Sequence, residues 1–202
     1  MKLYFSPGAC SLAPHIVAAE AGSAVALEKV DLGKQTTASG LDYRKINPKG
    51  QVPCLQFDDG STLTEGPVIA QYLADQAKST SLMPAAGTMA RYRVMEWQNF
   101  ITSELHKGFS PLFNPKYDAA AKSVMKAGLR QKFEWVDTRL AGRSYLTGDD
   151  FTCADAYLFT VANWAGHVQL ELSDLAHLKA FMGRVAARPA VVRAMKEEGL
   201  LR

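Results

Sequence analysis

The chain has 202 residues, 48% of them hydrophobic and 21% charged, and its formal net charge is +3. These values are ordinary for a globular protein with a real core, in one large domain or two small ones. No basic run alternates with aromatic residues, which argues against a nucleic-acid surface. No apolar segment approaches the ~20 residues that span a bilayer, and the N-terminus shows no secretory signal.

The three cysteines, Cys10, Cys54 and Cys153, form no CxxC motif and lack the spacing of a metal site. Reduced thiols fit a cytoplasmic protein best. We therefore expect a cytoplasmic protein that holds no metal and interacts with neither nucleic acid nor membrane.

The first 80 residues alternate between strand and helix signals. "KLYFS" predicts a strand that Pro7 and Gly8 end, and the alanine-rich segment 11–21 predicts a helix that Gly22 terminates. "VALEKVDL" predicts a second strand, and residues 36–46 predict a weak helix or a loop. "QVPCLQF" and "STLT", joined by Asp-Asp-Gly, predict a hairpin, and "EGPVIAQYLADQA" predicts a helix. The predicted order is βαβ, a connection, and then ββα.

Strand signals disappear after a polar linker at residues 78–87. Helices are predicted in "ARYRVMEWQNFITSELHKGF", "AAAKSVMKAGLRQKFEWVDTRLAG" and "FTCADAYLFTVANWAG". Two more helical pieces, split by Pro189, are predicted in "HLKAFMGRVAARPAVVRAMKEEG". The third helix is apolar nearly all round, which predicts a buried centre, and Thr152 with Asp155 predicts a capping box at its start. We expect an α/β domain at residues 1–80 and an all-helical domain at 88–202.

Cys10 lies at the turn where the first predicted strand passes into the first predicted helix. The unpaired N–H groups and the positive dipole end of a helix favour a thiolate, either the cysteine's own or a ligand's. The alternative is an unreactive cysteine that fills a small hole. Lowering a thiol pKa by two units requires ~2.7 kcal/mol, whereas a helix dipole commonly supplies ~0.3–1 kcal/mol. A second donor to the sulfur is therefore expected.

Two further motifs in the first half predict contacts with a peptide-like ligand. Pro53 interrupts an apolar strand run, and a cis bond after Val52 would turn the backbone of Val52 outward to pair with a ligand. Glu65 and Gly66 precede a helix, where an acid and free helix N–H groups can hold an ammonium and a carboxylate. An edge strand and a simple helix cap are the alternatives.

A polar set of side chains lies on the first helix of the second half. Asn99, Ser103 and His106 are spaced by four and three residues, which places them on one face of a regular helix, opposite an apolar stripe. Glu104 and Lys107 flank this set. The alternative is an ordinary solvated face.

Together these motifs resemble the glutathione transferases, most closely their bacterial beta class. The resemblance covers essentially the whole chain and is most specific in "NPKGQVPCLQFDDGSTLTEG" and "LTGDDFTCADAYLF". It implies a thioredoxin-like N-terminal domain that binds glutathione, an all-helical C-terminal domain that carries the acceptor pocket, and a homodimer. It also implies an enzyme that activates the thiol of glutathione, its co-substrate, and conjugates it to hydrophobic electrophiles.

The resemblance implies roles for individual residues of the N-terminal domain. Cys10 would sit beside the glutathione sulfur as a catalytic residue and form a mixed disulfide with it. Val52, before a cis Pro53, would pair with the cysteinyl backbone. Glu65 and Gly66 would hold the γ-glutamyl end.

On the helical domain the resemblance implies a second catalytic residue, His106, which would reach the sulfur and supply the missing donor. Ser11 is the alternative donor. Further glutathione contacts are implied for Asn99, Ser103 and Glu104, some of which serve the partner subunit's ligand in this class.

Two positions depart from the family pattern. Gln35 stands where beta-class sequences often carry a lysine for the glycyl carboxylate, although Lys34 is adjacent. Gly66 replaces the usual serine of the wider superfamily, so only a backbone N–H can serve there.

Three functions remain open on the sequence alone. The first is conjugation, with a hydrophobic acceptor near residues 7–9 and the aromatic segment 109–117. The second is a glutathione-dependent thiol-disulfide oxidoreductase or peroxidase that acts through a mixed disulfide at Cys10. The third is a non-catalytic ligand-binding member of the superfamily.

Overall fold

The computed structural model describes residues 1–201, which form two compact units. One unit consists of residues 1–83 and the segment that begins at 187, and the other consists of residues 84–186. The strands are β1 (Lys2–Phe5), β2 (Ala26–Asp31), β3 (Thr36–Thr37), β4 (Cys54–Gln56) and β5 (Thr62–Thr64). The helices are α1 (Leu12–Glu20), α2 (Gly66–Gln76), α3 (Met89–Phe100), α4 (Lys107–Phe113), α5 (Ala119–Leu140), α6 (Cys153–Ala162), α7 (Ala176–Ala186) and α8 (Pro189–Glu197).

The first unit is built on a mixed sheet with the strand order β3-β2-β1-β4-β5. Strands β1 and β2 are parallel, and the other pairs are antiparallel. The predicted hairpin is confirmed, because β4 pairs with β5 across the Asp-Asp-Gly turn. Segment 36–46, expected to be a weak helix or a loop, instead supplies β3 and a short 3₁₀ turn at Tyr43–Lys45.

Helix α1 ends as the sequence predicts, since Gly22 adopts the left-handed conformation that glycine tolerates best (φ 65°). The guanidinium of Arg193 in α8 donates to the carbonyl of Ala19 near the end of α1 (2.6 Å). Arg188 forms an ion pair with Glu20 (2.6 Å). These contacts place the last helix in the first unit, although the predicted domain ranges assigned it to the helical domain.

The second unit is all helical, and its centre is α6, where every residue is buried. The predicted capping box at the start of α6 is present. The Asp155 carboxylate accepts the backbone N–H of Thr152 (2.8 Å), its hydroxyl (2.7 Å) and the N–H of Leu146 (2.8 Å). This one buried carboxylate therefore ties the loop before α6 to the first turn of the helix.

One predicted helix is divided in the structure. Residues 90–109 form α3, then a π-helical turn at Ile101–His106, and then α4. The predicted apolar stripe of Val94, Trp97, Ile101 and Leu105 is buried as expected. No helix among residues 1–201 is long and apolar enough to cross a membrane.

Candidate active site

Cys10 lies in the turn between β1 and α1 and is partly buried. The helix begins at Leu12 with Ser11 at its N-cap, so Cys10 precedes the first turn instead of lying within it. The Sγ atom of Cys10 lies 3.1 Å from the carbonyl oxygen of Val52 and donates to it. Only a protonated thiol makes this contact.

Ser11, the alternative donor to a ligand sulfur, is already engaged within the turn. Its side chain is fully buried, and its hydroxyl donates to the carbonyl of Ser6 (3.2 Å) and accepts the N–H of Ser6 (3.1 Å). The hydroxyl thus closes the turn that presents Cys10. It has no second proton to offer to a ligand.

The Val52–Pro53 peptide bond is cis, and β4 begins only after it, at Cys54. The carbonyl of Gln51 accepts the hydroxyl of Tyr43 (2.8 Å) and the side-chain amide of Asn47 (2.7 Å). These two bonds hold the approach to the cis bond. Cys54 is fully buried, and burial raises the pKa of its thiol to about 11, so this thiol stays protonated near pH 7.

Glu65 and Gly66 lie at the start of α2, beside the cis proline. Glu65 adopts a positive φ of 71°, which is unusual for a residue other than glycine and is common at ligand clamps. Its carboxylate accepts a 2.6 Å contact from Nζ of Lys49, which also donates to the hydroxyl of Thr64 (3.0 Å). A Cβ placed on Gly66 would lie 3.6 Å from Cγ of Pro53, an ordinary contact.

Gln35 is turned into the protein rather than out toward a ligand. Its Nε2 donates to the carbonyl oxygens of Leu32 (2.7 Å) and Gly50 (3.2 Å). Its Oε1 is buried and accepts no hydrogen bond from the described residues. Lys34 is exposed and lies 3.9 Å from Asp31.

A contact that sequence reasoning missed supports the Cys10 turn from the C-terminal segment. The N–H of Gly8 donates to Glu198 (2.9 Å), and Nδ1 of the buried His15 lies 3.0 Å from the other oxygen of the same carboxylate. Burial lowers the pKa of His15, but its hydrogen bonds to Glu198 and Glu197 more than offset this, and its pKa lies above the ordinary value. Glu198 comes at the end of a charged run, and nothing in that run singled it out.

In the second unit the three polar residues predicted on one helix face, and the flanking Glu104, do not share an environment. Asn99 and Ser103 are exposed, and the hydroxyl of Ser103 donates to the carbonyl of Asn99 (3.1 Å). Glu104 forms an ion pair with Lys132 (2.7 Å). His106 turns into an aromatic cluster instead. The π-helical turn has more residues per turn than an α-helix, so a three-residue spacing no longer aligns Ser103 with His106.

His106 is held by two aromatic side chains of the same unit. Its Nδ1 lies 2.6 Å from the hydroxyl of Tyr157, and its ring meets Trp164 edge to face at 4.8 Å between centroids. Burial, followed by the positive charge of Lys107, lowers the pKa of His106 to about 4. The ring is therefore neutral near pH 7. The positive charge of Lys107 thus helps to keep the imidazole uncharged.

Tyr157 was missed by the sequence reasoning, which noted only that its helix is apolar nearly all round. A signal was nevertheless available. A tyrosine in an entirely buried helix must find a hydrogen-bond partner for its hydroxyl, although its identity depends on the fold.

Groups of three or more His, Cys, Asp or Glu side chains that could hold a metal ion are not found in the described part of the chain.

The fold and these sites define a class of protein: a thioredoxin-like unit with a cis proline beside a cysteine-bearing turn, and an all-helical unit. Two family models match the chain, the glutathione S-transferase N-terminal domain at residues 8–76 and the C-terminal domain at residues 100–189. The chain belongs to the glutathione S-transferase family.

Individual relatives agree with this assignment. The chain is 48% identical over 200 residues to glutathione S-transferase GstA of Escherichia coli O157:H7, which covers 99% of this chain and 100% of the relative. It matches the bacterial beta-class enzyme of Sphingomonas chungbukensis and a sphingomonad glutathione S-transferase complexed with glutathione. Each has 43% identity and a TM-score of 0.95, over 100% of both chains. The predicted family, beta class and fold are thus confirmed.

Proposed function

We propose that the protein activates the thiol of glutathione and conjugates it to hydrophobic electrophiles. The observation that carries the proposal is the full-length similarity to glutathione S-transferases, one of them solved with glutathione. It is joined by the local geometry of the first unit, in which the Cys10 turn, the Val52 carbonyl and the cis proline are contiguous.

In this proposal glutathione lies extended along the backbone of Val52, as an added strand does. Its cysteinyl group pairs with Val52, and its γ-glutamyl ammonium binds the carboxylate of Glu65. Support comes from the contact between Glu65 and the ammonium of Lys49, which shows that this carboxylate already accepts a cation at 2.6 Å. The backbone N–H of Gly66, at the start of α2, is available to the ligand carboxylate.

The glycyl end of glutathione has no protein cation at position 35 in this proposal. The Gln35 amide is engaged with two backbone carbonyls. Lys34, exposed on the same turn, is then the remaining candidate for the glycyl carboxylate.

The second donor to the sulfur is His106, in our proposal, because Ser11 is committed to Ser6. A neutral imidazole N–H stabilises a sulfur anion by hydrogen bonding, a contact to a charged group that contributes about 1.5–3 kcal/mol. Added to the helix dipole, this supplies the ~2.7 kcal/mol that a two-unit decrease in thiol pKa requires.

Steady-state conjugation of an aryl halide tests this role. We expect His106→Ala to lower kcat/KM by about 10- to 100-fold, as the loss of a hydrogen bond to a charged group predicts. His177→Ala, an exposed histidine of α7, is the matched control and should retain wild-type rates. Equal rates for wild type and His106→Ala would remove His106 from the mechanism.

A second candidate function is glutathione-dependent disulfide reduction. It is favoured by the position of the Cys10 thiol on the carbonyl of Val52, the same backbone group proposed to hold the cysteinyl part of glutathione. Cys10 would attack a mixed disulfide of glutathione and release the reduced partner thiol. A second glutathione would then displace the first from Cys10 as oxidised glutathione.

We also propose a cytoplasmic homodimer in which Asn99, Ser103 and Glu104 lie near a glutathione site. A dimer is supported by apolar side chains left exposed on α3, where Met89 is 67% and Tyr92 53% exposed. Sedimentation of wild type and of Tyr92→Glu tests the contact, because a charge on this face should favour monomers. A dimer of unchanged stability in Tyr92→Glu would place the interface elsewhere.

A further inference from the structure

The hydroxyl of Tyr157 and Nδ1 of His106 form a short, partly buried hydrogen bond within the helical unit. The two atoms are 2.6 Å apart, and the Tyr157 side chain is only 4% exposed. Tyr157 lies in α6, whose residues are all buried, so its ring is fixed by packing on every side. Trp164 meets the imidazole edge to face and restrains it from another direction.

The chemistry of the two groups decides which of them donates. Burial lowers the pKa of His106 to about 4, so near neutral pH the ring carries one proton, and one nitrogen donates while the other accepts. A phenol, with a pKa of about 10, is a far stronger acid than a neutral imidazole N–H, and an imidazole lone pair is a stronger base than a phenol oxygen. The favoured arrangement is O–H···N, and a short distance is typical of a hydroxyl donor.

We propose that Tyr157 is a positioning residue that donates its hydroxyl proton to Nδ1 of His106 and so holds the imidazole in one orientation with its proton on Nε2. The bond that fixes one ring nitrogen sets the protonation of the other. The Nε2–H of His106 is then a hydrogen-bond donor and has no lone pair with which to accept a proton.

This inference, which rests on the proposed function for its catalytic consequence, deepens the role of His106. With Nδ1 occupied by the tyrosine and Nε2 already protonated, His106 stabilises a sulfur anion by donation and does not act as a general base. The proton of the glutathione thiol therefore leaves to solvent, and no step transfers it to the imidazole.

Imidazole ¹⁵N NMR of the whole protein tests the inference without reference to activity. In the wild type at pH 7, His106 should show a protonated Nε2 and an unprotonated, hydrogen-bonded Nδ1. In Tyr157→Phe the Nδ1 signal should move toward that of a nitrogen that accepts no hydrogen bond. A protonated Nδ1 in the wild type, or an Nδ1 signal that Tyr157→Phe leaves in place, would overturn the proposal.

Kinetics supply the second readout. Tyr157→Phe should lower kcat for conjugation by about five- to tenfold, the loss expected for one hydrogen bond, with KM for glutathione nearly unchanged. The same substitution in a His106→Ala background should have almost no effect, since the tyrosine acts through the histidine. Equal losses in both backgrounds would show a merely structural role and would contradict the proposal.

Tyr145→Phe is the matched control, because it removes a hydroxyl from the same unit at a ring that packs against Phe151 and Phe181. It should leave both the His106 spectrum and kcat unchanged. If His106→Ala proves as active as wild type, the proposed role of His106 fails, whereas the ¹⁵N measurement still decides whether Tyr157 fixes the tautomer.

Discussion

The thiol of Cys10 donates a hydrogen bond to the carbonyl oxygen of Val52 across 3.1 Å, and the peptide bond after Val52 is cis. The sequence predicted a sulfur anion at the start of α1, either that of Cys10 itself or that of a ligand. Because the observed contact needs the sulfur-bound proton, it favours the neutral thiol of Cys10 in the unliganded protein, which leaves the ligand's sulfur as the alternative. The anion to be stabilised is then the one that glutathione brings.

Cys10→Ser separates conjugation from disulfide reduction. A serine hydroxyl can donate to the carbonyl of Val52 as the thiol does, so the turn and the conjugation of an aryl halide should be retained within about threefold. Glutathione-dependent reduction of a mixed disulfide should fall to background, because the attacking sulfur is gone. Loss of both activities would give Cys10 a direct role in conjugation. Cys54→Ala, which removes a buried thiol, is the control. It should leave the ratio of conjugation to disulfide reduction unchanged.

Replacing Glu65 tests the ammonium site with two ligands. We expect Glu65→Gln to weaken glutathione binding about tenfold, since one hydrogen-bonded charge pair is lost. Binding of glutaryl-cysteinylglycine, which lacks the ammonium, should hardly change. Isothermal titration calorimetry measures both, with Asp59→Asn, an exposed acid of the β4–β5 turn, as the control. An equal loss for both ligands would show that Glu65 does not hold the ammonium.

The depressed pKa of His106 makes the stability of the helical unit depend on pH. The folded protein has a His106 pKa of about 4, whereas an unfolded histidine titrates near 6.5. Between these values the unfolded chain binds more protons, so stability decreases as pH falls from 6.5 to 4. The full effect is about 3 kcal/mol.

His106→Asn should remove this component, because asparagine does not titrate. Urea unfolding at a series of pH values would show the wild type losing more stability than His106→Asn between pH 6.5 and 4. His177→Asn, at an exposed histidine, should retain the wild-type slope. Identical slopes for wild type and His106→Asn would contradict the assignment of a neutral, partly buried imidazole.

Asp155 stabilises the helical unit through three buried hydrogen bonds. Asp155→Ala leaves the donors of Leu146 and Thr152 without an acceptor, and we expect a loss of about 3–5 kcal/mol in the free energy of unfolding. The control is Asp118→Ala at the exposed N-cap of α5, where a single accepted N–H predicts a loss of about 1 kcal/mol. Chemical denaturation at pH 8 is suitable, because burial raises the pKa of Asp155 only to about 6. Similar losses of unfolding free energy in Asp155→Ala and Asp118→Ala would contradict the larger contribution expected for Asp155.

Local signals in the sequence predicted much of the fold. The hairpin at Asp-Asp-Gly, the helix stop at Gly22 and the capping box at Asp155 each depend on residues within a few positions of one another, and all three are confirmed. The attachment of α8 to α1 depends on contacts between residues more than 160 positions apart, which periodicity cannot indicate.

The same distinction separates the predicted from the missed features of the candidate site. Cys10, Val52 and Glu65 were singled out because each lies next to a break in a local strand or helix pattern. The π-helical turn before His106 has no comparable break, since its sequence continues a regular helical period. The hydroxyl that meets His106 comes from Tyr157, 51 positions away. Only tertiary packing brings them together.

Gly66 offers a test of a departure from the family pattern. Its φ lies outside the left-handed region, and a Cβ would meet Pro53 at 3.6 Å, so a side chain fits without displacement. Gly66→Ser should fold normally and bind glutathione about threefold more tightly, because its hydroxyl adds a donor at the start of α2. Gly66→Ala should share any gain in stability, which arises from the lost flexibility of the unfolded chain, but not the gain in affinity. Thermal unfolding and calorimetric titration distinguish these effects, and equal affinities for the serine and alanine variants would show that no ligand group reaches this position.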